Sequence, residues 1–135
     1  MSDELTTFLR TAMPLCALLG MRGVRQDPGE VRLELDWSPE LCTTAGLLHG
    51  GAIMALADSA GAVCAFLNLP AGATTSTIES KTNLLGAVRD GTVTAVAKPL
   101  HVGSTTIVVE TEVRRSDDRL VAKTIQTQIV LKPST

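Results

Sequence analysis

The sequence predicts an α+β fold in which a curved antiparallel sheet wraps around one long, apolar helix. The helix is predicted over residues 51–68, the only long helical candidate, where Ala, Gly, Leu and Met leave little polarity on any face. The segments after Pro70 are instead rich in Thr, Val and Ile and are separated by turn residues, which is typical of strands. Because an apolar helix must be enclosed by other structure, these two observations favour a curved sheet around it.

The spacing of apolar residues predicts the remaining elements. In residues 3–13 the spacing is helical and Pro14 ends the segment, so a short amphipathic helix is predicted there. After a turn at Asp27–Gly29, apolar and charged residues alternate over residues 31–37, which is the period of a half-buried strand. Four further strands are predicted over residues 75–85, 92–100, 105–114 and 120–131.

The connections and the length indicate how these elements are arranged. Arg89–Gly91 and Ser116–Asp118 have the composition of hairpin loops, so we expect the strands that they join to be antiparallel neighbours. A length of 135 residues fits a single domain over residues 1–135, with an N-terminal helical segment (1–14) and a core (15–132). One sheet covers only one side of the central helix, so we expect a second copy of the chain to cover the other side.

Composition excludes several classes of function. The formal net charge is −2 and no block of Lys and Arg occurs, so we expect neither a nucleic-acid nor a membrane partner. An aromatic content of 2% leaves little for a base-stacking surface or an aromatic cage. The three cysteines share no metal-ligand spacing, which predicts free thiols in a reducing compartment and no metal site. Residues 1–10 are acidic and polar, unlike a secretory signal, so we expect a cytoplasmic protein.

Asp58 is the one charged side chain between Gly50 and Leu69. An unpaired charge in an apolar environment costs several kcal/mol, so we expect a buried Asp58 that is either tightly partnered or catalytic. His49, Asp58 and Asn68 interrupt residues 47–69, which therefore predict a buried helix rather than a membrane span.

Two short motifs and the spacing of Asp58 carry a resemblance to a known family. The motifs are Gly-Leu-Leu-His-Gly-Gly at 46–51 and Leu-His-Val-Gly-Ser at 100–104, and Asp58 follows His49 by nine residues. With the order of elements over residues 31–131, they resemble the hotdog-fold acyl-CoA thioesterases, in particular the phenylacetate-pathway (PaaI-like) and menaquinone-pathway aryl-CoA thioesterases. The resemblance implies a hotdog fold that dimerises to a continuous sheet. It also implies hydrolysis of an aromatic or medium-chain acyl-CoA without a further cofactor, since CoA is part of the substrate.

The resemblance assigns roles to the residues around the helix. Asp58 would act as nucleophile or as general base on water. The Gly50 amide would polarise the thioester oxygen from the helix N-terminus, where N–H groups lack partners and Gly residues allow close approach. His49 would orient the thioester or the start of the helix, although a lone His is more often structural. Gly50 and Asp58 are about 12 Å apart along an ideal helix, so two subunits must share one site.

Two positions depart from the family pattern. Thr43 stands where the family usually carries Asn or Gln to hold the water or the carbonyl, and Ala62 stands where some members carry Ser or Thr. In another branch a hydroxyl comes from the strand after the helix, where Ser76 and Thr77 lie. We predict that Ser76 positions the attacking water.

The same resemblance predicts the residues that contact the substrate and CoA. They are Thr43, Gly51, Thr77, Leu84, Leu85, Gly86, Ala87, Arg89, His101, Val102, Gly103, Ser104, Thr105 and Thr106. Ser104, Thr105 and Thr106 could donate to phosphate, with Arg89 as a nearby cation.

Two other functions remain open on the residues alone. One is a non-catalytic module that binds or senses acyl-CoA. The other is an enoyl-CoA hydratase or dehydratase, for which His49 and Asp58 could supply the paired His and acid. The expected partners are acyl-CoA and the chain itself, as a homodimer that pairs into a tetramer.

Overall fold

The computed structural model describes residues 2–133, in which two helices and two strands precede the long helix and four strands follow it. The helices are α1 (Ser2–Ala12), α2 (Pro14–Leu19) and α3 (Gly50–Leu67). The strands are β1 (Arg22–Asp27), β2 (Glu30–Asp36), β3 (Thr74–Leu84), β4 (Thr92–Val102), β5 (Thr106–Arg114) and β6 (Leu120–Leu131). Single 3-10 turns at Pro39–Leu41 and Thr44–Gly46 lie between β2 and α3.

The six strands form one antiparallel sheet in the order β1-β2-β4-β5-β6-β3, and α3 packs on one face of it. On β4 and β5 every second residue from Val93 to Ala97 and from Ile107 to Val113 is buried, so one face of the sheet faces the helix. The predicted α+β class, with a curved antiparallel sheet and one long helix, is confirmed. We call the α3-facing side the inner face and the opposite side the outer face.

One expected strand pairing is wrong. The Arg89–Gly91 loop does not close a hairpin, because β3 pairs with β6 and β4 pairs with β2 and β5. β3 therefore crosses to the far edge of the sheet, where it pairs with β6 from Thr74↔Leu131 to Leu84↔Ala122. The Ser116–Asp118 loop does join neighbouring strands, β5 and β6. A short connection favours adjacent strands but does not require them.

Two elements were not expected from the sequence. β1 lacks a regular apolar alternation, yet it pairs with β2 through the turn at Asp27–Gly29. Helix α2 begins at Pro14, which was expected to end helical structure; proline is tolerated at the first position of a helix because its missing N–H needs no partner there. Gly23 of β1 allows α1 to pack closely, since a Cβ on it would lie 2.8 Å from Leu5 Cβ.

The core lies between α3 and the inner face of the sheet. Leu56 of α3, Leu35 of β2 and Val93 of β4 are all fully buried there. By length and composition α3 could cross a bilayer, but more than half of its residues are buried within the chain. The packing of α3 on the sheet is therefore the main source of apolar burial in the chain.

We expect Leu56→Ala to lower the free energy of unfolding by about 2–5 kcal/mol, because it leaves a cavity under α3. Urea unfolding followed by circular dichroism measures this change. Leu18→Ala is the matched control, because Leu18 on α2 is 80% exposed and its loss should cost less than about 0.5 kcal/mol. Equal losses of stability in the two variants would contradict this description of the core.

Candidate active site

One face of α3 is not covered by the sheet. It carries Met54, Asp58 and Phe66, all exposed, with the half-buried Ala62 between the last two. These residues recur every four positions, so they lie in one row, which we call the open stripe. Asp58 is thus exposed within one chain, in the middle of this otherwise apolar row, on the side of α3 that a second copy of the chain was expected to cover.

Asp58 nevertheless has a specific partner. The side-chain amide of Gln126 on β6 donates from Nε2 to Asp58 Oδ1 at 3.2 Å. Gln126 is fully buried on the inner face of the sheet, and Gln128, two residues further along the strand, is equally buried. Sequence reasoning missed both residues, although polar side chains at alternate positions of β6 face a core that is mostly apolar. That pattern was the available signal for buried polar groups with a role.

The start of α3 gives different roles to its two glycines. His49 is the N-cap, and its Nδ1 accepts a hydrogen bond of 2.7 Å from the Gly51 N–H. A Cβ on Gly51 would lie 2.8 Å from that Nδ1, so glycine makes room for the cap. The Gly51 N–H is therefore occupied by the cap, and the predicted contact of Gly51 with a substrate would not use this N–H. The Gly50 N–H donates to no acceptor within residues 2–133.

The cap also sets the tautomer of the neutral His49 ring. A nitrogen that accepts a hydrogen bond carries no proton, so the neutral ring holds its proton on Nε2. His49 is exposed, and this Nε2–H is therefore free to donate to a ligand. His49 can therefore cap the start of α3 through Nδ1 and donate to a thioester through Nε2–H at the same time.

The strand after α3 presents Thr77, and not Ser76, to the inner face. Ser76 pairs with Ile129 and Thr77 with Gln128 across the β3–β6 ladder, and paired residues share one face of a sheet. Since Gln128 is buried under α3, Thr77 lies on the inner face and Ser76 on the outer face. The Thr77 hydroxyl donates to Gln128 Oε1. This register directs Ser76, which was predicted to position the attacking water, away from Asp58 of its own chain and directs Thr77 toward the inner face.

The predicted CoA contacts fall into two groups at opposite ends of the sheet. Leu84–Ala87 and Arg89 lie near the N-terminus of α3, where Leu84 would contact a Cβ on Gly50 and the Val88 carbonyl accepts from the Leu48 N–H. Residues 101–106 lie at the other end, around the β4–β5 turn. His101 pairs with Val108 and so faces outward, whereas Val102 pairs with the buried Ile107. One chain does not bring the two groups together.

Thr43 lies in the exposed loop before α3, where its backbone N–H donates to the Leu47 carbonyl at 2.8 Å.

Two arginines lie near the predicted CoA contacts at the N-terminal end of α3, and Arg115 already bonds to other groups of the protein. It donates to the Ala87 carbonyl and pairs with Asp117, and this pairing lowers the pKa of Asp117 to about 2. Arg89 is exposed and makes no ion pair within residues 2–133, so it is the available cation at this end.

The cysteines are poorly suited to nucleophilic chemistry. Burial raises the pKa of the Cys64 thiol to about 11, and burial likewise raises the pKa of the Cys16 thiol. A thiol is nucleophilic only as the thiolate, so these two groups are inert at neutral pH. Cys42 lies half-buried in the loop before α3, and its thiol donates to the Ser38 carbonyl. Asp58 therefore remains the best-placed reactive group.

Comparisons with known proteins agree with this fold. Residues 45–122, more than half of the chain, match the Thioesterase superfamily. A 1,4-dihydroxy-2-naphthoyl-CoA hydrolase from Escherichia coli is 36% identical over 86 residues, which are 64% of this chain and 63% of that protein.

Solved structures extend the likeness to nearly the whole chain. A thioesterase from Haemophilus influenzae superposes with a TM-score of 0.88 at 25% identity, covering 95% of this chain and 90% of that one. A variant of a thioesterase from Pseudomonas aeruginosa gives a TM-score of 0.87 at 28% identity, covering 93% of each chain.

An antiparallel sheet packed around one long helix is thus the hotdog fold of the thioesterases. The chain belongs to the Thioesterase superfamily, and its activity is thioester hydrolysis. The resemblance drawn from the His-Gly-Gly motif and Asp58 is confirmed at this level. The non-catalytic and hydratase alternatives receive no support from these comparisons.

We expect His49→Ala to lower the free energy of unfolding by about 1 kcal/mol, because the Gly51 N–H loses its cap. His49→Asn should recover most of the loss, since Asn also accepts from the first turn of a helix. Urea unfolding of the two variants beside the wild type measures both effects. A His49→Ala protein as stable as the wild type would show that the cap contributes nothing.

Proposed function

We propose that the protein hydrolyses acyl-CoA thioesters to the free acid and CoA, with Asp58 as general base or nucleophile and the Gly50 N–H as oxyanion donor. The observation that carries this proposal is the position of Asp58. It is the one charge on the open stripe of α3, and a buried amide holds its Oδ1. A carboxylate fixed at the edge of an apolar surface can remove a proton from water or attack a carbonyl carbon.

The helix N-terminus supplies the second half of the chemistry. The Gly50 N–H has no acceptor among residues 2–133, and the partial positive charge of the helix N-terminus adds to its polarising effect on a carbonyl oxygen. An oxyanion donor of this kind lowers the barrier by stabilising the charge that develops on that oxygen. His49 Nε2–H lies on the residue just before it and is available to orient the thioester.

Two copies of the chain are needed to complete such a site. Gly50 and Asp58 are separated by eight residues of one helix, or about 12 Å, so both cannot reach one thioester carbonyl. We infer an antiparallel pairing of β3 with β3 of a second copy, which places Gly50 of each chain beside the partner's α3. The free edge of β3 within residues 2–133 and the exposed apolar side chains of Ile78 and Leu84 on β3, with Leu85 just after it, support this pairing.

The same pairing would unite the two groups of CoA contacts. Because the strands run antiparallel, the Leu84–Ala87 end of one chain would approach the 101–106 end of the other. Arg89 would then supply a cation, and the Ser104, Thr105 and Thr106 hydroxyls would supply donors for phosphate. Pairing of two dimers into a tetramer, a cytoplasmic location and the lack of a further cofactor stay predictions.

For the water we now propose Thr77 in place of Ser76. Thr77 lies on the inner face and is hydrogen-bonded to Gln128, which in turn accepts from Gln126, the partner of Asp58. This continuous series of bonds supports a common site for Thr77 and Asp58. Ala62 offers no hydroxyl one turn after Asp58, so Thr77 would replace it.

An apolar groove supports an aromatic or medium-chain acyl group. It lies between α1 and α3 and is lined by Phe8, Ala12, Met13, Ala62, Val63 and Phe66. Ala62 is one helical turn from Asp58, so the groove begins beside the reacting position. The lining offers no charged side chain, which fits a hydrocarbon chain or ring.

Asp58→Asn and Asp58→Ala should each reduce kcat for benzoyl-CoA and octanoyl-CoA by at least about 100-fold, because neither side chain can accept a proton or attack. Release of CoA thiol, followed with a thiol reagent, measures the rate. Asp3→Asn is the matched control, since this exposed carboxylate lies on α1. Undiminished hydrolysis by both Asp58 variants would contradict the proposed role.

A further inference from the structure

We propose that Gln126 is a positioning residue for Asp58 and that Gln128 extends the same series of hydrogen bonds to the Thr77 hydroxyl. The inference rests on the proposed function of Asp58 and adds the groups that hold it. Gln126 and Gln128 are fully buried and touch Asp58 and Thr77 from beneath, on the inner face of β6.

The orientation of the Gln126 amide is fixed by its neighbours. Nε2 lies between two oxygens, Asp58 Oδ1 at 3.2 Å and Gln128 Oε1 at 3.0 Å, and donates to both. If the amide were reversed, its oxygen would face both of these acceptors. The amide therefore presents its donor to the carboxylate.

This orientation has a cost that a purely structural residue would avoid. Gln126 Oε1 is buried and has no hydrogen-bond partner within residues 2–133. It faces α3 at Gly61, where an ideal Cβ would lie 3.0 Å from Nε2 and closer still to Oε1. A buried, unpartnered carbonyl oxygen is unfavourable, so the contacts of the Gln126 amide nitrogen must compensate for it. The lack of a side chain at Gly61 thus leaves space for the Gln126 amide, whose nitrogen donates to the Asp58 carboxylate.

Gln128 determines the direction of the Thr77 hydroxyl. Its Nε2 donates to Thr75 Oγ1 at 3.2 Å, and Thr75 donates to the Ile129 carbonyl at 2.8 Å. Its Oε1 can only accept, so it receives the protons of both Gln126 Nε2 and Thr77 Oγ1. Thr77 therefore offers only lone pairs to a ligand. A water bound there donates one proton to Thr77 and the other to Asp58, which leaves its lone pair for the thioester carbon.

Gln126→Leu should lower kcat about 10- to 100-fold, the effect of losing one hydrogen bond to a charged group, while KM changes little. The control is Thr124→Val, which removes a buried hydroxyl from the same face of β6. That hydroxyl bonds to Thr82 at 2.7 Å and not to Asp58, so we expect its kcat to stay at the wild-type value. Gln126→Met, which fills the space without a donor, replaces the Leu variant if the latter unfolds.

Gly61→Ala provides an independent variant that leaves Gln126 in the chain. Its methyl group should displace the amide and lower kcat as Gln126→Leu does, whereas in a Gln126→Ala background it should cause no further loss. Circular dichroism and thermal melting confirm that each variant is folded. Loss of kcat in both single variants, without additivity, supports the inference.

Wild-type kcat in a folded Gln126→Leu protein would overturn the role of Gln126 while leaving that of Asp58 intact, provided that Asp58→Asn is inactive. An active Asp58→Asn protein would instead overturn the proposed function itself. Equal losses in Gln126→Leu and Thr124→Val would show a general effect of core polarity and would also overturn the inference.

Discussion

The sheet covers only one side of α3, and the position of the proposed active site depends on this constraint. Burial of Leu56 and its neighbours fixes the helix on the sheet, and the period of the helix then brings Met54, Asp58 and Phe66 to the uncovered side. Apolar side chains in a continuous row favour association with another surface. The carboxylate in that row is thereby placed where two chains would meet.

A row of buried polar side chains on β6 lies under α3 and supports Asp58 from the inner face of the sheet. Thr124, Gln126 and Gln128 follow one another on the inner face of β6, and only the latter two connect to Asp58. Buried polar groups are tolerated when they are hydrogen-bonded, and they then hold their partners rigidly. The hydrogen bond from below holds the Asp58 carboxylate in one position, and its exposure leaves it accessible to water and substrate. A catalytic base requires both.

The sequence predicted most regular elements well because their composition and patterning are distinctive. Helix α3 follows from its long run of apolar residues, β3–β6 from their Thr, Val and Ile content, and β2 from its apolar alternation, whereas β1 has no alternation to detect. Strand order was harder, because the seven residues between β3 and β4 permit either a hairpin or a crossover. The exposure of Asp58 within one chain could not be predicted, because composition gives the polarity of a helix but not which side its neighbours cover. Ser76 was preferred over Thr77 because the face of each depends on register, which is set by pairing with β6.

The central claim is that Gly50 and Asp58 of different chains form one site, and a hybrid dimer tests it most directly. Gly50→Pro removes the free N–H, and proline suits this first helical position because His49 before it is extended, with ψ of 133°. Asp58→Asn removes the carboxylate. A dimer that combines one subunit of each inactive variant, isolated with two affinity tags, should regain about half of the wild-type activity, because one of its two sites is intact. A hybrid as inactive as both parents would contradict a shared site.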